Sequence, residues 1–198
     1  MTNYTDLQLD ALRELANIGS GTAATALSQM VGRPVDISVP SARAMSLVEA
    51  VDSVGRADEE VTGVVLPVFG SLDAVVLLVF SLGSARTLCG LLGIDADADT
   101  EMSESALSEI GNIVGCAYIN AFAAMTGLEL EPLPPESATD MLGAIVSSVL
   151  VGAALETDLA LVLETDLTVE GAECSFGFLL VPTAGGVDEL LSRLGLGA

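Results

Sequence analysis

The stretch Asp10-Ala-Leu-Arg-Glu14-Leu-Ala-Asn17-Ile18 returns ninety-five residues later, without a gap, as Ser105-Ala-Leu-Ser-Glu109-Ile-Gly-Asn112-Ile113. The same shift brings Ala26 onto Ala121, Met30 onto Met125, Gly32 onto Gly127 and Pro40 onto Pro135. A single match would be unremarked chance, but a gapless series marks an internal duplication. Both stretches read as long helices. Leu7, Leu12, Leu15, Ala16, Ala23, Ala26, Leu27 and Met30 form an apolar stripe in the first, and Met102, Leu107, Ile110, Val114, Ala121, Phe122 and Met125 form one in the second. Gly32-Arg-Pro34 and Gly127 are their stop signals.

Outward from the helices, Val61 to Phe69 and Ala74 to Leu82 flank Gly70-Ser-Leu-Asp73 as a hairpin pattern. Leu159 to Val169 and Cys174 to Val181, joined through Glu170-Gly-Ala-Glu173, repeat it. Short helices at Ser84 to Leu92 and Gly186 to Leu194 close each repeat, stopped by Gly93 and Gly195. Asp95-Ala-Asp-Ala-Asp-Thr-Glu101 between them lacks the glycine and the distal glutamate of an EF-hand loop, so it reads as a solvated acidic linker. The expectation is one domain of two repeats, about 1–94 and 101–198. Its fold class is α+β and pseudo-twofold: a mainly antiparallel β-sheet of about six strands, two long motif-bearing helices and shorter helices. Met45 to Arg56 and Ser137 to Ala154 occupy equivalent places but fit no single pattern. The uncharged run Met141 to Leu155 reads as core in preference to a partner-facing helix.

Of 198 residues, 28 are Asp or Glu and six are basic, all of them arginine; with no lysine and no histidine the formal charge is -22. A hydrophobic share of 51% is enough to bury a core and argues against disorder. The charge removes the electrostatic term behind nucleic-acid binding and opposes an anionic membrane surface. Leu15 to Gly32 and Ile110 to Leu128 are uncharged and long, yet Asn17, Gln29, Asn112 and Asn120 interrupt them, so no membrane insertion is expected. Met1 to Asp10 has no basic start, and Cys89, Cys116 and Cys174 form no Cys-x-x-Cys pair; a reducing cytoplasm is the expected location. So acidic a surface repels itself until molar salt shortens the Debye length to about 3 Å. The absence of lysine then points to a salt-in halophile, expected to be an archaeon.

The missing residue types also restrict the chemistry. Without histidine there is no Ser-His-Asp or Cys-His nucleophile, and without lysine no Schiff base or P-loop. What the repeat supplies instead is position. Residues i, i+4 and i+7 share a narrow arc of a helix, so Asp10, Glu14 and Asn17 project together, as do Ser105, Glu109 and Asn112. A single triplet of this kind is most simply a solvated helix face. Two triplets that keep Glu and Asn while the surrounding surface changes point to a shared task. A carboxylate can anchor a partner's cation, and a carboxamide can both donate to and accept from a water. Asparagine is no base near neutral pH, so the pair suits orientation of a water against a substrate that is already activated. Paired acids for glycoside hydrolysis are missing in the second triplet, where Ser105 replaces the aspartate.

The pattern Asp/Ser-x3-Glu-x2-Asn, followed by 22 residues and Pro, resembles the CheC family of chemotaxis phosphatases, relatives of CheX and FliY. It occurs twice, from Asn17 to Pro40 and from Asn112 to Pro135. The resemblance implies dephosphorylation of the response regulator CheY-P, with Asn17 and Asn112 orienting the attacking water and Glu14 and Glu109 pairing with a lysine of the receiver domain. It implies that this chain binds no cofactor, the Mg²⁺ arriving with the receiver. Asp10 and Ser105 fill the first motif position, suited to capping or support. Gly21 lets the partner approach, but Cys116 stands at that place in the second repeat. The competing expectation is an adaptor that binds CheY-P, the receptor deamidase CheD or a motor-linked protein; CheD is an expected partner in either case. No flagellar-switch segment follows Leu194, so a FliY-type rotor component is not expected.

Overall fold

The computed structural model describes residues 4–97, 100–152, 159–169 and 172–197. Helix α1 (Asp6–Val31) leads into strand β1 (Val35–Ser46), the short helix α2 (Leu47–Val54), the hairpin β2 (Glu60–Gly70) and β3 (Ala74–Ser81), and helix α3 (Leu82–Leu91). The order then recurs. Helix α4 (Thr100–Thr126) is followed by β4 (Leu130–Pro132) and β5 (Glu136–Met141), helix α5 (Leu142–Gly152), the hairpin β6 (Leu159–Val169) and β7 (Ala172–Pro182), and helix α6 (Gly186–Arg193). The offset of the sequence match is visible in the element bounds. Val35 and Leu130 start the first strands, Ser46 and Met141 end them, and Leu47 and Leu142 start the next helices.

All seven strands form one antiparallel sheet in the order β1-β6-β7-β3-β2-β4, with β5 continuing along β2 beyond β4. The order reads the same from either edge once β4 and β5 are taken as one interrupted strand. Each edge strand pairs with a hairpin from the other half of the chain. Ala44 of β1 lies opposite Leu161 of β6, and Ala138 of β5 lies opposite Gly63 of β2. The two hairpins meet at the centre, where Leu78 of β3 faces Phe178 of β7.

Alternation along the strands divides the core into two layers. On one face Val64, Leu66, Val76, Leu78, Leu161, Leu163 and Phe178 pack beneath α1 and α4, joined by Leu88 of α3 and Leu190 of α6. On the other face Val61, Leu77, Val79, Val162 and Leu179 are covered by Ala50 of α2 and by Leu142, Ile145, Val146 and Val149 of α5. One side of the uncharged run after Met141 is therefore core, while Ala144, Ser147 and Ser148 on its other side are exposed; residues 153–158 lie outside the described residues, as do Glu170 and Gly171 of the second hairpin turn.

The observed fold corrects the sequence reading in three places. The two hairpins were legible to within two residues at each end, but edge strands β1, β4 and β5 were not assigned. Polar residues and prolines interrupt them, as befits strands at an edge. Leu82 begins α3 instead of ending a strand, because the Ser81 hydroxyl accepts from the Ser84 N–H and caps the helix. Leu7, Met102 and Met125 count among the expected stripe residues but are more than half exposed. The first two stand five residues before Leu12 and Leu107, about 140° round the helix from the buried stripe, and Met125 lies in the last turn of α4.

The long helices come close to one another at Gly19. A Cβ added there would lie 2.8 Å from the Tyr118 Cα and 3.2 Å from the Ala117 carbonyl oxygen, both main-chain atoms that cannot swing aside. Tyr118 is itself fully buried, with its ring edge-on to Phe178 at 4.7 Å between centroids. Alanine is the better helix former by about 1 kcal/mol, whereas overpacking costs about 1–3 kcal/mol. We expect the steric term to win at this position. Gly19→Ala should lower the thermal midpoint by several degrees, measured by circular dichroism at fixed salt, while the same change at Gly21, where a Cβ meets nothing within 4 Å, should not.

Candidate functional site

Helix α1 is started by Thr5, whose hydroxyl accepts from the Gln8 N–H while the Gln8 side chain accepts from the Thr5 N–H. Asp10 is therefore not a cap. It stands in the second turn, exposed, and pairs with Arg13 at 3.1 Å. Ser105 is likewise inside α4 and exposed. Glu14 and Glu109 are exposed, and among the described residues neither has an ion-pair partner. Asn17 and Asn112 are half-buried. The structure thus brings Asp10, Glu14, Asn17 and Gly21 onto one exposed face of α1, and Ser105, Glu109 and Asn112 onto the corresponding face of α4.

The Asn17 carboxamide is tied to the sheet. Its Oδ1 accepts from the Val39 N–H at 3.1 Å. That donor is available because β1 bulges there: Ser38 pairs with Asp166 and Ser41 with Glu164, so Val39 and Pro40 together face the single residue Thr165. A bulge is one of the few places in a strand where proline is tolerated, and it turns the preceding N–H out of the ladder toward α1. The motif proline is thereby explained as a structural device that frees the donor next to it.

The second half keeps the extra residue but loses the donor. Pro132 pairs with Val68 and Glu136 with Val65, leaving Leu133, Pro134 and Pro135 opposite Leu66 and Pro67. Pro134 occupies the place of Val39 and has no N–H to give. The Asn112 Oδ1 instead accepts from the thiol of Cys116, one turn on, at 3.4 Å. Burial, with the charge of Glu109 adding to it, raises the pKa of Cys116. The side chain therefore remains a thiol at neutral pH and keeps its proton to donate. Sequence reading singled out Cys116 as a departure but missed Val39, which carries no chemistry in its side chain.

Both triplets stand on solvent-facing helix surface among the described residues. A groove of about 690 Å³ runs between β2, β5 and α5 on the opposite face of the sheet, and no motif residue lines it. The motif faces are convex helix surface, with Leu7 at 66% exposure and Ile18 at 50% flanking Glu14 and Asn17. Such a surface suits a folded protein partner better than a small molecule. Among the described residues no group of three acidic or thiol side chains converges as a metal site. Each motif offers one uncommitted carboxylate, too few oxygens to hold a hard divalent cation without donors from elsewhere. No described helix is long and apolar enough to cross a membrane.

Solved structures share this fold. Thermotoga maritima FliY superposes with a TM-score of 0.78 at 20% identity, over 98% of each chain. A chain of the CheX–CheY–BeF3–Mg²⁺ complex from Borrelia burgdorferi gives a TM-score of 0.50 at 14% identity, over 83% of this chain and 96% of that one. The CheC-like family model matches twice, at residues 7–42 and 102–137, with the same offset as the sequence repeat. A Bacillus subtilis protein named CheY-P phosphatase CheC is 36% identical over 81% of this chain and 79% of its own length. The chain belongs to the CheC-like family.

The raised pKa of Cys116 has a measurable consequence. Alkylation by iodoacetamide, followed by peptide mass spectrometry, should be slower at Cys116 than at a free thiol near pH 8 and should accelerate as the pH climbs toward its higher pKa. Glu109→Gln removes a charge that favours the neutral thiol, so it should speed the reaction at a given pH.

Proposed function

We propose that this chain hydrolyses the phosphoaspartate of CheY-P, with one reaction site on each long helix. The observation that carries the proposal is the duplicated pairing of an unpartnered carboxylate with a carboxamide one turn later, on exposed faces, in a chain so close to a relative named for that activity. At each site the asparagine Oδ1 is held from one side while its NH₂ makes no bond among the described residues. Asn17 and Asn112 orient the water that attacks phosphorus in line. The phosphorus–oxygen bond to aspartate breaks, and the aspartate leaves as a carboxylate with inorganic phosphate as the other product. Glu14 and Glu109 hold the receiver through a cation on its surface. Phosphoryl transfer of this kind asks for alignment and charge neutralisation, and a Mg²⁺ brought by the receiver would supply the second.

The charge balance supports the assignment of roles. Arg13, Arg43, Arg56, Arg86 and Arg193 pair with neighbouring carboxylates. They are spread over the surface and form no cradle for a phosphate, so the countercharge comes from the partner. The matching element bounds and the doubled family match support a single domain built by duplication. A cytoplasmic location follows from the partner, and CheD is a second partner suggested by family resemblance. In an adaptor the Glu/Asn faces would bind CheY-P without turnover.

Two experiments test the reading. Decay of a phosphorylated receiver domain, followed in high salt with Mg²⁺, should be accelerated by this protein. Asn17→Ala with Asn112→Ala should abolish the acceleration, by about a hundredfold or more, with the fold retained by circular dichroism. An unchanged rate in the double variant rejects the water-positioning mechanism, and an absence of acceleration by the parent chain favours the adaptor. We also propose adaptation to a salt-rich cytoplasm such as that of halophilic archaea. The thermal midpoint should then rise between about 0.1 M and about 3 M KCl as repulsion among the carboxylates is screened. A midpoint insensitive to salt would refute it.

A further inference from the structure

The two motif faces carry the same catalytic carboxamide but different donors behind it. At the first, the donor is the Val39 N–H of the β1 bulge, 3.1 Å from the Asn17 Oδ1, and the helix position one turn past Asn17 is Gly21, which has no side chain. At the second, Pro134 replaces Val39 and abolishes the main-chain donor, and Cys116 replaces Gly21 and places a thiol 3.4 Å from the Asn112 Oδ1. The two differences compensate. Side chains on a helix lean toward its N-terminus, so a residue four positions on can reach back to Asn112, whereas a strand donor must come from below.

We propose that Cys116 is the positioning residue of the second site, supplying through its S–H the hydrogen bond that the sheet supplies at the first. This rests on the phosphatase reading of Asn112. A carboxamide has two planar orientations that differ in which end faces the partner, and only an acceptor-side bond selects the one that leaves the NH₂ outward. Without it Asn112 would divide its time between orientations, and turnover would fall while docking, governed by Glu109 and the surrounding surface, would not. The half-buried setting of Cys116 and the raised pKa keep the proton on sulfur under the conditions of the reaction. The first site has no thiol beside its carboxamide, so the two sites differ in their sensitivity to thiol chemistry.

The test isolates the second site with Asn17→Ala and adds Cys116→Ala or Cys116→Ser. The substrate is a receiver domain phosphorylated with acetyl phosphate, freed of donor and assayed with Mg²⁺ in molar KCl. Loss of one orienting hydrogen bond predicts a fall in kcat of about three- to tenfold in the alanine variant, with KM within about twofold. Serine, which restores a donor of similar size, should return kcat to within about twofold of the cysteine parent. The side-chain NH₂ resonances of Asn112 should shift in the alanine variant made in the otherwise unmodified chain, and those of Asn17 should stay. An unchanged kcat in the alanine variant overturns the role of Cys116. So does a fall that serine fails to restore, since that would mean packing, not donation. Activity surviving in Asn17→Ala with Asn112→Ala overturns the reading of the sites themselves, a failure distinguishable from the other two.

Discussion

The pairing of each edge strand with a hairpin from the other half of the chain is the constraint on which the molecule depends. β1 is held by β6, and β4 with β5 is held by β2, so neither half contains a contiguous sheet of its own. The apolar undersides of α1 and α4 are buried only when the four hairpin strands meet at β3 and β7 and the edge strands close on from either side. Helix, bulge and motif are thereby fixed relative to one another at both edges. The small residues between the layers follow from the same demand. Gly19 lets α1 reach the main chain of α4, and Gly111 and Gly115 bring α4 down on Val64 and Leu66 of β2.

On that frame the motif faces are spare. A helix supplies a carboxylate and a carboxamide one turn apart, and a strand or a thiol fixes the carboxamide's orientation. The motif faces are solvent-facing, and the arginine beside the first of them, Arg13, is already paired with Asp10. Both features are natural if the other half of the site arrives on a protein partner, whose docking excludes solvent and whose own ions balance the charge. The formal charge of -22 is then compatible with an anionic reaction centre.

The elements that sequence reading found and missed divide along physical lines. The long helices were visible because their stripes recur over many turns, and the central hairpins because their strands are nearly continuous in Val and Leu. Strands β1, β4 and β5 were hidden because an edge strand buries little and carries the prolines and polar residues that protect it from further pairing. Leu7 and Met102 were grouped with the stripes, yet each stands five residues before Leu12 or Leu107, about 140° round the helix, and so lies outside the buried arc. The candidate residues Glu14, Asn17, Glu109 and Asn112 needed only one helix each to come together, so local spacing sufficed.

The amino-acid sequence by itself determined the duplicated helices, the Glu and Asn on one face of each, and the absence of histidine and lysine chemistry. These are properties of local period and composition, which survive without knowledge of what packs where. Only the tertiary structure decided how Asn17 is held and why Asn112 must be held otherwise. The bond from Val39 to Asn17 spans 22 residues and uses a main-chain N–H that any residue but proline possesses, so no side chain advertised it. Its loss at Pro134 and its replacement by Cys116 acquired meaning once the bulged strand lay against the helix, because a hydrogen bond depends on where two groups meet, and the fold sets that meeting.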